Sequence, residues 1–177
     1  NRLILGCQNT IIPDTVTKIS EKIYVNDKLI KNIYYKGSIE QWVNITFSYS
    51  SNPMSYVENF YLLDENNEWY IPTDIVISSN VTEIKSSVFY GNKNLKSIVL
   101  PNTLTKINSN AFSNCSNLEN VYYQGTTDQW FEMVKNSNPM NYAKHLYLLD
   151  ENNQWVEPTT LTSITLMPKF IIAATNE

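Results

Sequence analysis

The apolar positions of this chain repeat with a period too long for one helical turn and too uneven for one strand. Val81, Ile84, Phe89, Leu95 and Ile98 return 23 residues later as Leu104, Ile107, Phe112, Leu118 and Val121. Carried onto the V-T-K-I that begins at Val16, the same spacing requires apolar residues at Tyr24, Ile30 and Ile33, and all three are apolar or aromatic. A unit with inward positions spread over its whole length fits one coil of a stacked repeat protein. Residues 95–100 end in the apolar–polar alternation of a short half-buried strand, with equivalents at 30–35, 75–77, 118–123 and 161–166. Stacked, these strands form a small parallel sheet. One coil cannot bury its apolar side alone, so Ile98, Leu100, Val121 and their equivalents are expected to share one core. Gly91-Asn92, Asn108-Ser109-Asn110 and Asn114 supply bends between the apolar positions.

A longer repeat overlies the shorter one. NIYYKGSIEQW at 32–42 returns as NVYYQGTTDQW at 120–130, offset by 88, and FYLLDENNEW at 60–69 returns as LYLLDENNQW at 146–155, offset by 86. The two-residue difference falls between Trp42 and Pro53, after the first of two expected helices. Ser38 with Gln41, and Thr126 with Gln129, have the spacing of a capping box. Behind them Ile39, Trp42, Val43 and Phe47, and in the second copy Trp130, Phe131 and Val134, outline short amphipathic helices of about ten residues. Asn52-Pro53 and Asn138-Pro139 read as helix stops, and the Asp-Glu-Asn-Asn between apolar runs reads as a hairpin turn. Each passage is thus a strand–helix–hairpin module, expected to leave the stack on one side.

These residues carry a resemblance. IIPDTVTKI, followed by NTLTKINSNAFSNCSNLENVYY, resembles the BspA-like leucine-rich repeats of bacterial surface proteins, in which V-T-x-I precedes A-F-x-x-C-x-x-L. The 104–123 unit matches best, with Ala111, Phe112, Cys115 and Leu118 at the family's positions, and YYxGxxxQW resembles an extension such proteins carry. The first unit departs from the pattern, since KIYVNDKLIKNI lacks the A-F and the cysteine. The resemblance implies an α/β fold: a leucine-rich-repeat-like right-handed solenoid with short parallel strands and two inserted modules. As one domain over 1–177 it divides into a repeat at 11–33, an insertion at 34–73, repeats at 74–98 and 99–121, an insertion at 122–159 and a terminal coil at 160–177. It also implies an extracellular or cell-surface location and an adhesion role.

Composition narrows the options. At 177 residues and 42% hydrophobic content, a chain can bury about 70% of its unfolded surface without metals or disulfides. Net charge is −4 and the 13 Lys and Arg are scattered, which argues against a phosphate-tracking surface and so against nucleic acid. No stretch reaches the roughly 18–20 apolar residues of a membrane helix. The opening NRLILGCQNT lacks signal-peptide features, which leaves secretion open. Cys7 and Cys115 have no metal-ligand spacing and read as small buried hydrophobes.

Catalytic chemistry finds little support. The single histidine, His145, has no nucleophile or acid beside it, and its counterpart in the first copy is Asn59. Asp64-Glu65 and Asp150-Glu151 sit at turns, where adjacent carboxylates diverge into solvent and lack a dedicated calcium loop's spacing. No enzyme activity, cofactor or metal is therefore expected.

Strand alternation sends Tyr35 and Tyr123 inward and Tyr34 and Tyr122 outward, beside Asn32, Asn120, Ser97, Val99, Ser163 and Thr165. Such an uncharged aromatic and amide surface suits a sugar or a peptide better than an ion. Two placements stay open for Tyr34 and Tyr122: exposed on the ligand face, or hidden beneath the modules. Trp42 and Trp130 read as core residues, whereas Trp69 and Trp155 fit either core or surface. With Tyr34, Tyr122, Asn32 and Asn120 as candidate ligand contacts, the expected function is recognition or adhesion toward a host or bacterial surface protein or glycan. A carbohydrate-binding accessory module and a purely structural spacer are the alternatives.

Overall fold

The computed structural model describes residues 8–20, 30–48 and 51–158. The fold is mixed α/β, with many short strands and few helices. In chain order the elements are β1 (Asn9–Ile12), β2 (Lys18–Ile19), β3 (Asn32–Tyr35), α1 (Ile39–Val43), β4 (Thr46–Phe47), β5 (Asn59–Leu63) and β6 (Trp69–Tyr70). Then follow β7 (Asp74–Val76), β8 (Glu83–Ile84), β9 (Ser97–Leu100), β10 (Lys106–Ile107), β11 (Asn120–Tyr123), α2 (Thr127–Met133), β12 (His145–Leu149) and β13 (Trp155–Val156).

Two sheets hold the longer strands, ordered β1-β3-β5-β6 and β7-β9-β11-β12-β13. Every pairing in them is parallel except the closing hairpins β5–β6 and β12–β13. The registers reproduce the repeat: Asn32 lies 23 residues from its partner Asn9, and Ser97 lies 23 from Asp74. The helical passages take longer paths, 27 residues from Asn32 to Asn59 and 25 from Asn120 to His145. They were expected to leave the stack on one side. Instead β5 returns beside β3, and β12 beside β11, because alternate inward residues Phe60 and Leu62, or Leu146 and Leu148, extend the buried row of the preceding strand.

The ten residues that define the 23-residue period in the second half are all buried, from Val81 at 5% exposure to Ile84, Phe89 and Val121 at zero. Phe89 and Phe112, equivalent by the repeat, stack with ring centroids 5.3 Å apart. Their turns are also laddered, with Phe89 N–H donating to the Ala111 carbonyl at 2.8 Å and Gly91 N–H to that of Ser113 at 2.8 Å. Cys115 is buried against the Phe89 carbonyl, 3.0 Å from Sγ, and burial pushes its thiol up to about 12. It acts as a small apolar residue, inert as a nucleophile. Tyr24, Cys7 and the strand expected at 161–166 lie outside the described residues.

Both capping boxes form: Ser38 Oγ accepts from Gln41 N–H while Gln41 Oε1 accepts from Ser38 N–H, and Thr126 and Gln129 do the same. The helices are shorter than expected. The first stops at Val43 and the second at Met133. Phe47 is not on a helical face: Thr46 and Phe47 form β4 beside β2, and this β-branched and aromatic stretch gains a parallel pairing that extending the helix would forfeit. The second copy has no strand there, so the two-residue difference accompanies β4. The Asn-Pro pairs do more than stop helices. Asn52 and Asn138 cap short 3-10 turns, Pro53–Ser55 and Pro139–Asn141, by accepting from Met54 and Met140 N–H at 2.9 Å.

Candidate functional site

The Y-Y-x-G passage divides its two tyrosines between the faces of one strand. Tyr35 is fully buried with its ring edge-on to Trp42 at 5.1 Å, and Tyr123 packs on Trp130 at 5.5 Å. Gly37 and Gly125 are needed beneath these rings, since a Cβ at either would lie about 2.5 Å from the phenol. Neither buried hydroxyl has a hydrogen-bond partner. Desolvation, with the Asp14 charge adding to it, pushes Tyr35 up to about 12, and desolvation also raises Tyr123.

The outward tyrosines each enter an aromatic cluster. In the first sheet the register aligns Ile11, Tyr34 and Tyr61 across β1, β3 and β5. Tyr34 and Tyr61 are stacked, 4.5 Å between centroids at 8°, and Trp69 from the hairpin meets Tyr34 edge-on at 5.1 Å. The second sheet repeats this with Val76, Val99, Tyr122 and Tyr147 in line. Tyr122 stacks on Tyr147 at 4.8 Å and meets Trp155 edge-on at 5.2 Å. The hairpin thus buttresses the tyrosine without sealing it: Tyr34 and Tyr122 are half-buried, while Trp69 and Trp155 stay more than a third exposed. Ile11 at 52% and Val76 at 62% extend each cluster as open apolar surface.

A polar row runs beside each cluster, two residues earlier on every strand. In the first sheet it is an amide ladder: Asn32 donates to Asn9 at 2.8 Å, Asn59 to Asn32 at 3.0 Å, and Asn94 to Asn59 at 3.4 Å. The second row is Asp74, Ser97, Asn120 and His145. Hydrogen bonds from Ser97 and Thr73 hold the Asp74 carboxyl below its usual range, and Lys144, 2.8 Å away, lowers Glu119. One cluster is therefore edged by neutral amides and the other by a mixed, partly ionic row.

Tyr34 with Asn32, and Tyr122 with Asn120, share a face within each sheet, as alternation requires. Ser163 and Thr165 lie outside the described residues. Tyr61 and Tyr147 were not among the candidate contacts, although F-Y-L-L and L-Y-L-L alternate like N-I-Y-Y, and equal register would have revealed them. Trp42 and Trp130 are fully buried. His145 lies on β12 with Nδ1 3.0 Å from Glu157 Oε1 and its ring 6.2 Å from that of Tyr147. The acidic turns are occupied structurally: Asp64 accepts from Asn66 and Glu68 N–H, Asp150 from Asn152 and Gln154 N–H, and Asn67 and Asn153 adopt positive φ. Among the described residues no cluster of three or more His, Cys, Asp or Glu could hold a metal, and no helix is long and apolar enough to cross a membrane.

Comparison with known proteins agrees with the repeat. The family model for the BspA type leucine rich repeat region (6 copies) matches residues 5–60 and 69–171. Among solved structures, a leucine-rich repeat protein from Eubacterium ventriosum is similar at 21% identity with a TM-score of 0.30, over 67% of this chain and 42% of that one. The chain thus spans less than half the length of that relative. No curated protein matches it.

Proposed function

We propose that this chain, which belongs to the BspA-type leucine-rich repeat family, is a non-enzymatic recognition module of a bacterial surface or secreted protein, gripping a glycan or protein through its outward sheet face. The observation that carries this reading is the duplicated cluster of Tyr34, Tyr61 and Trp69, rebuilt as Tyr122, Tyr147 and Trp155. Aromatic rings preset by stacking lose little freedom when a ligand adds a third layer, and the adjoining amides offer both donors and acceptors. Parallel strands at a 23-residue register support winding as a right-handed solenoid, with the helix–hairpin modules as widened coils of one domain. The family's usual lack of catalysis and its frequency among surface proteins point the same way.

The test is retention of the intact chain on a broad panel of polysaccharides and bacterial and host surface proteins. Tyr34→Ala combined with Tyr122→Ala should abolish whatever retention the native chain shows, with the fold unchanged by circular dichroism. A native chain that binds nothing on the panel, or a double variant that binds equally well, would leave the structural spacer as the better reading.

A further inference from the structure

The stack of Tyr122 on Tyr147 has one face to spare. Strand β11 lies between β12 and β9, so the register sets Tyr147 on one side of Tyr122 and Val99 on the other. The two ring centroids are 4.8 Å apart at 16°, which is the spacing of neighbouring strands, so both rings stand upright on the sheet with their faces turned along the strand-to-strand direction. Trp155 meets Tyr122 edge-on and comes from β13, beyond β12. On the β9 side two short side chains follow in line, Val99 and then Val76. A valine stands much lower on a sheet than a tyrosine, so the free face of Tyr122 rises as a wall above an aliphatic floor. Val76, on the strand at the β7 end of the sheet, is the most exposed of the large apolar residues described.

A polar edge borders that floor. Two residues earlier on the same strands, and so on the same face, lie Asn120, Ser97 and Asp74. Ser97 Oγ donates to Asp74 Oδ1, and Thr73 Oγ1 donates to Asp74 Oδ2 at 2.7 Å. These bonds fix the carboxylate and leave each of its oxygens a further lone pair, while the Asn120 amide adds donors and an acceptor. Lys96 lies within electrostatic reach of Asp74 and offsets its charge. Wall, floor and edge together make a shelf that is apolar on two sides, rich in acceptors on the third and close to neutral.

We infer that this shelf seats one uncharged hexopyranose unit of a glycan, a ligand class that rests on the recognition role proposed for the outward face and narrows it at the second cluster. A pyranose ring in contact with the Tyr122 face, about 3.5–4 Å from it, stands over Val99, whose strand is roughly 4.8 Å away. Its C–H bonds carry positive partial charge against the negative face of the phenol, and its lower rim covers the valine methyls. Its hydroxyls leave the ring at the edge, where Asp74 and Ser97 accept and Asn120 both donates and accepts. A carboxylated or sulfated sugar would bring like charge to Asp74. A cationic side chain would compete with Lys96 for the same carboxylate. An extended peptide offers one N–H per residue, pointing alternately to either side, and fills a row of adjoining acceptors less well than vicinal hydroxyls do.

The test titrates the intact chain, its valine methyls isotope-labelled, with methyl glycosides and short oligomers of glucose, galactose, mannose and N-acetylglucosamine, and in parallel with sialyllactose and a lysine-rich peptide. A neutral sugar should shift the Val76 and Val99 methyl signals while sialyllactose and the peptide leave them in place. Asp74→Asn should weaken that binding about tenfold, and Val76→Asp should abolish it. Both changes lie at exposed positions, so the melting midpoint stays close to native. Methyl signals that move with the peptide or with sialyllactose and not with neutral sugars would overturn the inference. So would a chain retained on a polysaccharide or protein through its tyrosines but indifferent to Asp74→Asn and Val76→Asp, a result that spares the recognition role itself. A chain that binds nothing at all overturns both.

Discussion

The two helix–hairpin passages share their Y-Y-x-G, Q-W, N-P-M and Y-L-L-D-E-N-N motifs, and the first is touched by the coil that follows it. In the first, residues 32–70, the turn near Val88 closes over the helix and the 3-10 turn, so Asn52 and Met54 become core. In the second, residues 120–156, the same motif is partly buried, and among the described residues its asparagine makes the capping bond alone. Burial is thus a property of the neighbour as much as of the residue. What both passages hold in common is the part satisfied internally: the capping box, the ring over glycine, and the Tyr-Tyr-Trp cluster.

The largest expected effects test that shared interior. Trp42→Ala and Trp130→Ala should each cost about 3–5 kcal/mol in denaturant unfolding, because each empties a fully buried aromatic site. A much smaller loss for Trp130 would mean that the second module is loosely packed. Gly37→Ala and Gly125→Ala come next, at about 1–3 kcal/mol each, since the new methyl must displace a packed tyrosine ring. Near-equal losses at the two sites would show that the Y-Y-x-G design is independent of its neighbours.

The comparison sharpens with Trp→Phe, which keeps an aromatic ring and removes the indole donor. Trp42→Phe should cost about 1 kcal/mol more than Trp130→Phe, because it leaves the buried Val88 carbonyl short of one donor. Equal losses would show that this hydrogen bond contributes nothing net.

Smallest at neutral pH are Tyr35→Phe and Tyr123→Phe. Each removes a buried hydroxyl without a partner and should leave stability within about 1 kcal/mol of native, or raise it. Their signature is at alkaline pH. The folded-state pKa of Tyr35 is raised from 10.0 to about 12, so the stability tied to its neutral form is fully present below about pH 10 and is lost as pH rises toward 12. Thermal midpoints measured across that window should fall less steeply for Tyr35→Phe than for the native chain, and the opposite order would contradict the burial of this phenol.

Much of this was legible beforehand. The 23-residue spacing named the core, and Ser38 with Gln41 marked a helix start, because both depend on contacts within one unit or between identical units. Helix ends were less legible. Phe47 fits a helical face by spacing, yet Thr46 and Phe47 pair with Lys18 and Ile19, which a local pattern cannot announce. Tyr61 was missed for a related reason: its role follows from lying beside Tyr34 across a parallel pairing 27 residues apart.

By itself the sequence determined the repeat, the inward and outward sides of each strand, the caps and the turns, since these follow from periodicity and from side chains reaching their own backbone. The tertiary structure alone decided that Trp69 and Trp155 buttress the outward tyrosines, that the helical passages rejoin the strand stack, and that the turn near Val88 buries Asn52 and Met54. Those outcomes rest on which distant segment comes to lie alongside. A motif shared by two stretches of chain cannot by itself encode a difference that their neighbours impose.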